Sequence, residues 1–338
     1  AGWTLAYVFR SASGAFQGAT AETVSQSFAD FVGDPERLLA WHTIFMVMSV
    51  VVVSRGVASG LEKAVRFLMP TLFVLLVAMV GYAMSTGHFA EGVAYLFEPD
   101  FSKLTREGFL SAMGQAFFSL SLGMGAIMIY GSYLNSKASI ARTGVIIAMM
   151  DTAVAIISGL AIFPIIFASG LEPQLGSGMV FKVLPIAFGQ MPGGVLFGTL
   201  FFVLLVFAAW TSAISLLEPP VAWLVENRGY NRVRATAWTG IVVWLLGVLS
   251  LLSLNVWSEV TVFGKGIMEL FEFVAANVLL PLGGLLIAVF TGWFLTRASS
   301  VDEFGMGDGR AYKLWRALIR YVAPTAVFIV FLSAIGLI

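Results

Sequence analysis

The chain has 338 residues, of which 59% are hydrophobic and only 11% are charged, whereas about a quarter of the residues in soluble domains are charged. It has no cysteine and two histidines, His42 and His88, which excludes disulfide frameworks, thiolate metal sites and histidine-rich zinc sites. Its 19 basic residues balance 19 acidic ones, so no net charge recruits nucleic acid, and no nucleic-acid partner is expected.

Apolar stretches of about 20 residues, the length that crosses a bilayer, recur along the chain. They predict eight spans, near 39–54, 64–86, 109–135, 142–168, 194–226, 235–254, 266–296 and 315–338. Abundant Phe, Trp and Met suit lipid contact and helix packing better than the alternating pattern of a membrane β-barrel. The sequence therefore predicts an all-α, multi-pass protein of the lipid bilayer.

Residues 1–10 are apolar, but they carry no basic leader and no cleavage site of a signal peptide. This pattern is typical of the end of a longer helix. An N-terminal truncation is therefore expected.

Lys and Arg are divided unequally between alternate connecting segments, thirteen in one set and five in the other, with Arg10 left over. The larger set is Arg55, Lys63, Arg66, Lys137, Arg142, Arg228, Arg232, Arg234, Arg297, Arg310, Lys313, Arg316 and Arg320. The smaller set is Arg37, Lys103, Arg106, Lys182 and Lys265. Because basic residues concentrate on the cytoplasmic side, the larger set is predicted inside. The long outer segments 11–38, 87–108 and 169–193 are either lids over a vestibule or plain solvated loops.

The span 109–135 contains the sequence SLSLGMG at its centre, with Ser119, Ser121, Gly123 and Gly125. Glycine costs about 1 kcal/mol relative to alanine in a helix, and serine competes for backbone hydrogen bonds, so this segment is a candidate helix break. Broken helices at membrane depth line cavities, where free carbonyls bind cations and helix ends bind a zwitterion. The alternative is close helix packing by small residues.

Among the carboxylates inside predicted spans, Asp151 and Glu218 are candidates for function. Asp151 lies in an apolar stretch with no basic residue nearby in sequence, so cation binding or proton transfer is one hypothesis and a neutral, hydrogen-bonded structural acid is the alternative. Glu218 is the weaker candidate, because it lies nearer the inner end of its span and is expected to reach interfacial water.

Other oxygen-bearing side chains complete the candidates. Thr211 and Ser212 add hydroxyl groups at mid-span, which suit a hard cation such as Na⁺, although such pairs also serve helix packing. Glu269 and Glu272 lie one turn apart at the outer start of a span. They are either acids of a gate or simply part of a solvated helix start.

Five segments together resemble the neurotransmitter:sodium symporter family, particularly its bacterial amino-acid transporters. They are LMPTLF, EPDFSKLT, QAFFSLSLGMGAIMIYGSY, QMPGG and AAWTSAISLLEPP. The resemblance covers the whole chain and implies one transmembrane domain, part of an inverted five-plus-five-helix, leucine-transporter-like fold. It assigns 1–12 to the end of the third family helix, 39–86 to the fourth and fifth, 109–296 to the sixth to tenth, and 315–338 to the eleventh.

The resemblance also assigns roles to individual residues. Two sodium sites are implied, both incomplete in this chain: Ser119 and Asp151 in the first, and the Ala208 carbonyl, Thr211 and Ser212 in the second. Substrate contacts are implied for Phe118, Ser119, Ser121, Met124, Ser212 and Leu216. Gate roles are implied for Phe118 and Glu272 on the outer side and for Tyr133 and Glu226 on the inner side.

The implied function is Na⁺-coupled symport of amino acids by alternating access in a bacterial inner membrane. Met124 and Leu216 form an apolar, adaptable lining that favours hydrophobic L-amino acids, aromatic ones included. Asp151 stands where chloride-dependent relatives need an anion, which predicts chloride-independent transport.

The departure from the family is that the first two helices and most of the third are missing, with their sodium ligands, substrate contacts and gate partners. The alternatives are a non-transporting scaffold or a channel, although no ring of pore-lining charge is visible. No arrangement of nucleophile, base and orienting group suggests an enzyme.

Overall fold

The computed structural model describes residues 1–56, 60–134, 138–173, 176–304 and 309–337. Lys137, one of the predicted inner cations, lies outside these ranges. The contacts divide the chain into two compact units. Unit 1 comprises Ala1–Pro99 and Val154–Met268, and unit 2 comprises Asp100–Ala153 and Glu269–Ile338.

The described residues are almost entirely helical, as predicted. The first helices are α1 (Gly2–Ala12), α2 (Ala21–Gly33), α3 (Pro35–Ser54), α4 (Glu62–Met84), α5 (Phe89–Phe97), α6 (Arg106–Ser119), α7 (Ala126–Ser132) and α8 (Ile140–Ala168). The remaining helices are α9 (Leu184–Gln190), α10 (Gly194–Arg228), α11 (Arg232–Leu252), α12 (Ile267–Glu272), α13 (Leu280–Val289), α14 (Arg297–Phe304), α15 (Arg310–Ala317) and α16 (Ala323–Ala334). A short hairpin, β1 (Thr261–Val262) and β2 (Lys265–Gly266), precedes α12.

Helix ends follow local capping chemistry. Asp34 caps α3 by accepting from the Arg37 N–H at 3.0 Å, and Thr105 caps α6 by accepting from the Gly108 N–H at 3.0 Å. Asn231 caps α11 in the same way. Gly229, with a φ of 65°, ends α10 in the left-handed conformation that glycine tolerates. These caps fix where the long helices begin and end.

Seven helical stretches in the described part of the chain are long and apolar enough to cross a bilayer. They are Pro35–Ser54, Glu62–Met84, Ile140–Ala168, Gly194–Arg228, Arg232–Leu252, Ile267–Phe294 and Arg310–Ala334. Each corresponds to a predicted span, while the eighth, 109–135, is divided into α6 and α7. The last two stretches contain π-helical turns, at Phe273–Leu279, Phe290–Phe294 and Leu318–Val322.

The core of unit 1 is aromatic and lies where α1 packs along α10. Tyr7 is fully buried, contacts the rings of Phe31, Phe181 and Phe202, and donates a hydrogen bond to the Phe181 carbonyl at 3.1 Å. Phe31 and Phe181 come from the outer segments 11–38 and 169–193. The prediction of plain solvated loops is therefore wrong for these two segments, because their apolar residues belong to the core.

In unit 2, α13 packs against α16, and α16 also contacts α6. The contacts between α13 and the segment that follows α6 are close, because glycines occupy both sides. Within unit 2, the interrupted span 109–135 therefore packs against the span that contains α13.

Candidate functional site

The interrupted span is the central feature of the candidate site. Helix α6 ends at Ser119, α7 begins at Ala126, and the six residues between them form turns. Ser121, Gly123 and Gly125 have φ values of 54°, 83° and 81°, in the left-handed region that only glycine enters without strain. The predicted helix break is confirmed at the predicted residues.

Gly123 also explains why small residues are needed for packing. A Cβ atom at Gly123 would overlap the Leu280 carbonyl oxygen and the Gly284 nitrogen, and one at Gly283 would overlap the Gly123 carbonyl. The backbones of the break and of α13 are therefore in direct contact. The two explanations offered for this glycine-rich segment, helix breaking and close packing, hold at the same residue.

Gly123→Ala is expected to destabilise the protein strongly. The left-handed backbone costs about 1–2 kcal/mol for a residue with a Cβ atom, and overpacking against α13 adds about 1–3 kcal/mol. The measurement is the midpoint of thermal unfolding in detergent. Gly114→Ala in α6 is the matched control, because the nearest atom to its new methyl group is Val330 Cγ1 at 3.8 Å. Equal midpoints for the two variants would contradict the packing argument.

The last residue of α6 is joined to the mid-membrane carboxylate of α8. Ser119 Oγ donates to Asp151 Oδ2 at 2.8 Å. Asp151 is partly buried and has no ion-pair partner within the described residues. The Ser119 hydroxyl and the Asp151 carboxylate thus place oxygen atoms beside the helix break, and oxygen ligands suit a hard cation.

A second group of oxygens lies on α10 in unit 1. The hydroxyls of Thr211 and Ser212 each donate to the Ala208 carbonyl at 3.0 Å, and Thr211 also donates to the Phe207 carbonyl at 3.0 Å. Such hydrogen bonds within a helix also occur without a ligand. Within the described chain no three His, Cys, Asp or Glu side chains cluster as a metal site. A cation at the second group would thus be held by hydroxyl and carbonyl oxygens, whereas the first group also offers the Asp151 carboxylate.

The predicted substrate contacts fall into two sets. Phe118, Ser119, Ser121 and Met124 end α6 or lie in the break, in unit 2. Ser212 and Leu216 lie one turn apart on an exposed face of α10 in unit 1, while the neighbouring Thr211 is buried. The α10 residues therefore share one exposed face, whereas in unit 2 Phe118 and Ser121 line different cavities.

Two of the predicted gate residues share a cavity. Phe118 and Glu272 line a space of about 430 Å³ in unit 2, together with the polar side chains of Gln115 and Asn277. The Phe118 ring is half exposed, so it is available as a cover for this space. The arrangement places an aromatic ring and a carboxylate at one cavity.

The predicted inner-gate residues lie in different units. Tyr133 follows the end of α7, and Glu226 is exposed in the last turn of α10. Within the described residues Glu226 has no ion-pair partner.

The expectation that Glu218 reaches interfacial water is wrong. Its side chain is completely buried and accepts two hydrogen bonds from Arg232, at 3.0 Å to Oε1 and 2.5 Å to Oε2. Arg232 Nε also donates to the Val53 carbonyl at 2.9 Å. One guanidinium group therefore joins α3, α10 and α11. The sequence did not predict this ion pair, because Glu218 and Arg232 belong to different helices, separated by the turn between α10 and α11.

The known proteins that resemble this chain in sequence are named as transporters. The profile of the family described as "Sodium:neurotransmitter symporter family" matches residues 10–337. The uncharacterized sodium-dependent transporter YhdH of Bacillus subtilis is 37% identical over 99% of this chain and 75% of its own length. An uncharacterized sodium-dependent transporter of Haemophilus influenzae is 32% identical over 98% of this chain and 74% of its own length.

A solved structure extends the likeness to the fold. The crystal structure of MhsT in complex with L-phenylalanine matches with a TM-score of 0.88 and 42% sequence identity, over 98% of this chain and 76% of that chain. The predicted all-α, leucine-transporter-like fold is thereby confirmed. The names of the relatives describe transport, not catalysis.

Proposed function

Since the chain belongs to the sodium:neurotransmitter symporter family, we propose that it couples the movement of an amino acid across the membrane to that of Na⁺. Sodium-dependent relatives from two bacteria support an assignment to a bacterial inner membrane. Transport by alternating access, around a site that opens to each side in turn, is the mechanism proposed.

The observation that carries the proposal is the Ser119–Asp151 hydrogen bond at the helix break. An ionised carboxylate at membrane depth is costly unless a positive charge accompanies it. Asp151 has no such partner within the described residues. A sodium ion held by Asp151 and Ser119 would supply the missing charge, so binding of the ion and ordering of the break are coupled.

A second sodium ion is proposed at the Ala208 carbonyl, Thr211 and Ser212. Support comes from the convergence of both hydroxyls on the Ala208 carbonyl, which brings three oxygens within one turn of α10. No carboxylate belongs to this group. We therefore expect this site to be weaker than the Asp151 site.

The substrate proposed is a hydrophobic L-amino acid. Met124 and Leu216 offer an apolar surface, and methionine adapts to ligands of different shape. The similarity to a protein solved with bound L-phenylalanine supports an aromatic or large aliphatic side chain. The ends of α6 and α7 would hold the two charged groups of the zwitterion, since a helix C-terminus is partly negative and an N-terminus partly positive.

Three further roles are proposed. Phe118 and Glu272 would close the outer side of the site, supported by their shared cavity. Tyr133 and Glu226 would belong to the inner closure. A fixed carboxylate at Asp151 would make transport independent of chloride, because it supplies the negative charge itself.

The test is uptake of radiolabelled L-phenylalanine into liposomes that contain the product of the complete gene. An inward Na⁺ gradient is expected to drive uptake, and an equal K⁺ gradient is not. Thr211→Ala should raise the sodium concentration for half-maximal uptake about tenfold, since a lost polar contact costs about 1–3 kcal/mol. Thr199→Ala is the matched control, because Thr199 makes a similar bond to Val195 on the same helix.

Other outcomes would favour the alternatives. A scaffold would give no uptake under any gradient, and a channel would give conductance far above carrier turnover. Replacing chloride should leave uptake unchanged, whereas Asp151→Ser should make uptake depend on chloride. Uptake by the unaltered protein that needs chloride would contradict the role assigned to Asp151.

A further inference from the structure

Basic side chains surround a cavity in unit 2 at the predicted inner side of the membrane. The cavity has a volume of about 480 Å³. Its lining includes Arg297, Lys313, Arg316 and Arg320, together with the aromatic residues Tyr312 and Tyr321. These cations come from the start of α14, from α15 and from the π turn that follows α15. Four basic side chains therefore line one open cleft.

The guanidinium groups are positioned by neutral oxygens. Arg316 Nη1 donates to the Tyr312 hydroxyl at 2.6 Å and to Ser300 Oγ at 3.1 Å, and both partners are almost completely buried. Arg320 Nε donates to the Gly292 carbonyl at 2.6 Å. Arg316 Nη2 also donates to the Leu295 carbonyl, at 3.4 Å. Arg320 is held through its Nε, so the Nη groups of Arg320 keep their capacity to bind a ligand.

Three of these four cations have no acidic partner among the described residues. Within the described ranges, Lys313, Arg316 and Arg320 form no ion pair with a carboxylate. The acids of α14, Asp302 and Glu303, are exposed and form no ion pair in the same ranges. The cavity thus concentrates positive charge that an anion would stabilise.

Aromatic residues indicate the depth of the cavity in the membrane. Trp293 and Tyr321 form an edge-to-face pair with ring centroids 6.0 Å apart, and the Arg320 guanidinium lies 5.9 Å from the Trp293 ring. Tryptophan and tyrosine collect at the level of lipid headgroups. The orientation of the protein in the membrane explains why basic residues are concentrated on the predicted inner side. It does not require that four of them line one cleft, or that buried hydroxyls hold Arg316 in place.

We propose that this cavity binds the phosphate of an anionic phospholipid headgroup in the cytoplasmic leaflet. Arginine forks match phosphate oxygens in pairs, lysine adds a point charge, and basic pockets between membrane helices hold anionic headgroups. The acyl chains of the lipid would lie against exposed apolar residues of the chain that follows the cavity, such as Val322 and Phe328. The proposal is independent of the transported substrate.

The experiment measures binding of dioctanoyl phosphatidylglycerol to the purified product of the complete gene in neutral detergent, by microscale thermophoresis. Lys313→Gln is expected to weaken binding about fivefold, the effect of about 1 kcal/mol for one basic side chain near an anionic surface. Arg310→Gln is the matched control, because Arg310 lies one turn away on α15 and does not line the cavity. It should leave binding unchanged.

Parallel titrations use dioctanoyl phosphatidylcholine and inorganic phosphate. Weak binding of both would support the anionic lipid as the ligand. Tight binding of inorganic phosphate alone, at the same lysine, would overturn the lipid assignment in favour of a free phosphate. Equal losses in Lys313→Gln and Arg310→Gln would overturn the site itself.

Lys313 is exposed and makes no side-chain hydrogen bond in the described chain, so its replacement should leave the unfolding midpoint unchanged. No sodium or amino acid enters this measurement, so its outcome is separate from that of the transport assay.

Discussion

Asp151→Ala is expected to raise the sodium concentration that supports half-maximal amino-acid binding about 100-fold. Removing one partner of a desolvated, hydrogen-bonded charge pair costs about 2–5 kcal/mol, and 1.4 kcal/mol corresponds to about tenfold in affinity. The proposed pair is the sodium ion and the carboxylate that accepts from Ser119. The measurement is equilibrium binding of radiolabelled L-phenylalanine to the product of the complete gene at a series of sodium concentrations.

Two further variants make this result specific. Ser119→Ala should have a smaller effect, about tenfold, because it removes a neutral hydroxyl and leaves the charge in place. Asp302→Asn, an exposed acid of unit 2, is the control for a general change of charge and should not alter binding. If Asp151→Ala kept the sodium dependence of the unaltered protein, the carboxylate would be a structural acid and the first sodium site would have to be abandoned.

Glu218→Ala is expected to lower the midpoint of thermal unfolding by about 10 °C. Truncating one partner of a buried ion pair leaves the other charge uncompensated, which costs about 3–5 kcal/mol, and each kcal/mol shifts the midpoint by about 2–4 °C in domains of this size class. Here the stranded group would be Arg232, which also bonds to the Val53 carbonyl. Circular dichroism during heating in detergent measures the change.

The matched control is Glu226→Ala, because Glu226 is exposed two turns further along the same helix and should have little effect. Glu218→Met combined with Arg232→Met should recover much of the lost stability, since a buried ion pair can be replaced by apolar side chains at little cost. A double variant as unstable as Glu218→Ala would contradict the explanation from stranded charge.

Local chemistry made much of this protein predictable from its sequence. The spans follow from apolar length, and the break between α6 and α7 follows from serine and glycine at the centre of one span. Asp151 stood out because a carboxylate in an apolar stretch is rare. Its hydrogen bond to Ser119 joins residues that the resemblance had already assigned to one site.

Properties that depend on distant contacts were not predictable in this way. Its position along the helix suggested that Glu218 is hydrated. The ion pair with Arg232, which follows the turn between α10 and α11, allows the carboxylate to be buried. The outer segments 11–38 and 169–193 looked like loops because proline and glycine interrupt them. Phe31 and Phe181 nevertheless enter the core, where they pack against Tyr7. This contact was not predictable because Tyr7 lies far away in sequence.

The π-helical turn at Phe273–Leu279 constrains how the gene can change. A π turn holds one residue more than an α turn, so deleting one residue inside it would restore an ordinary helix and keep the later residues on their original faces, whereas a deletion between this turn and Gly283 would rotate everything after it by about 100°. Gly283 and Gly284 would then leave the face that meets Gly123, and bulkier neighbours would take their place against the break. Single-residue deletions should therefore be tolerated in the hairpin before α12 or inside the π turn, but not between the π turn and Gly283.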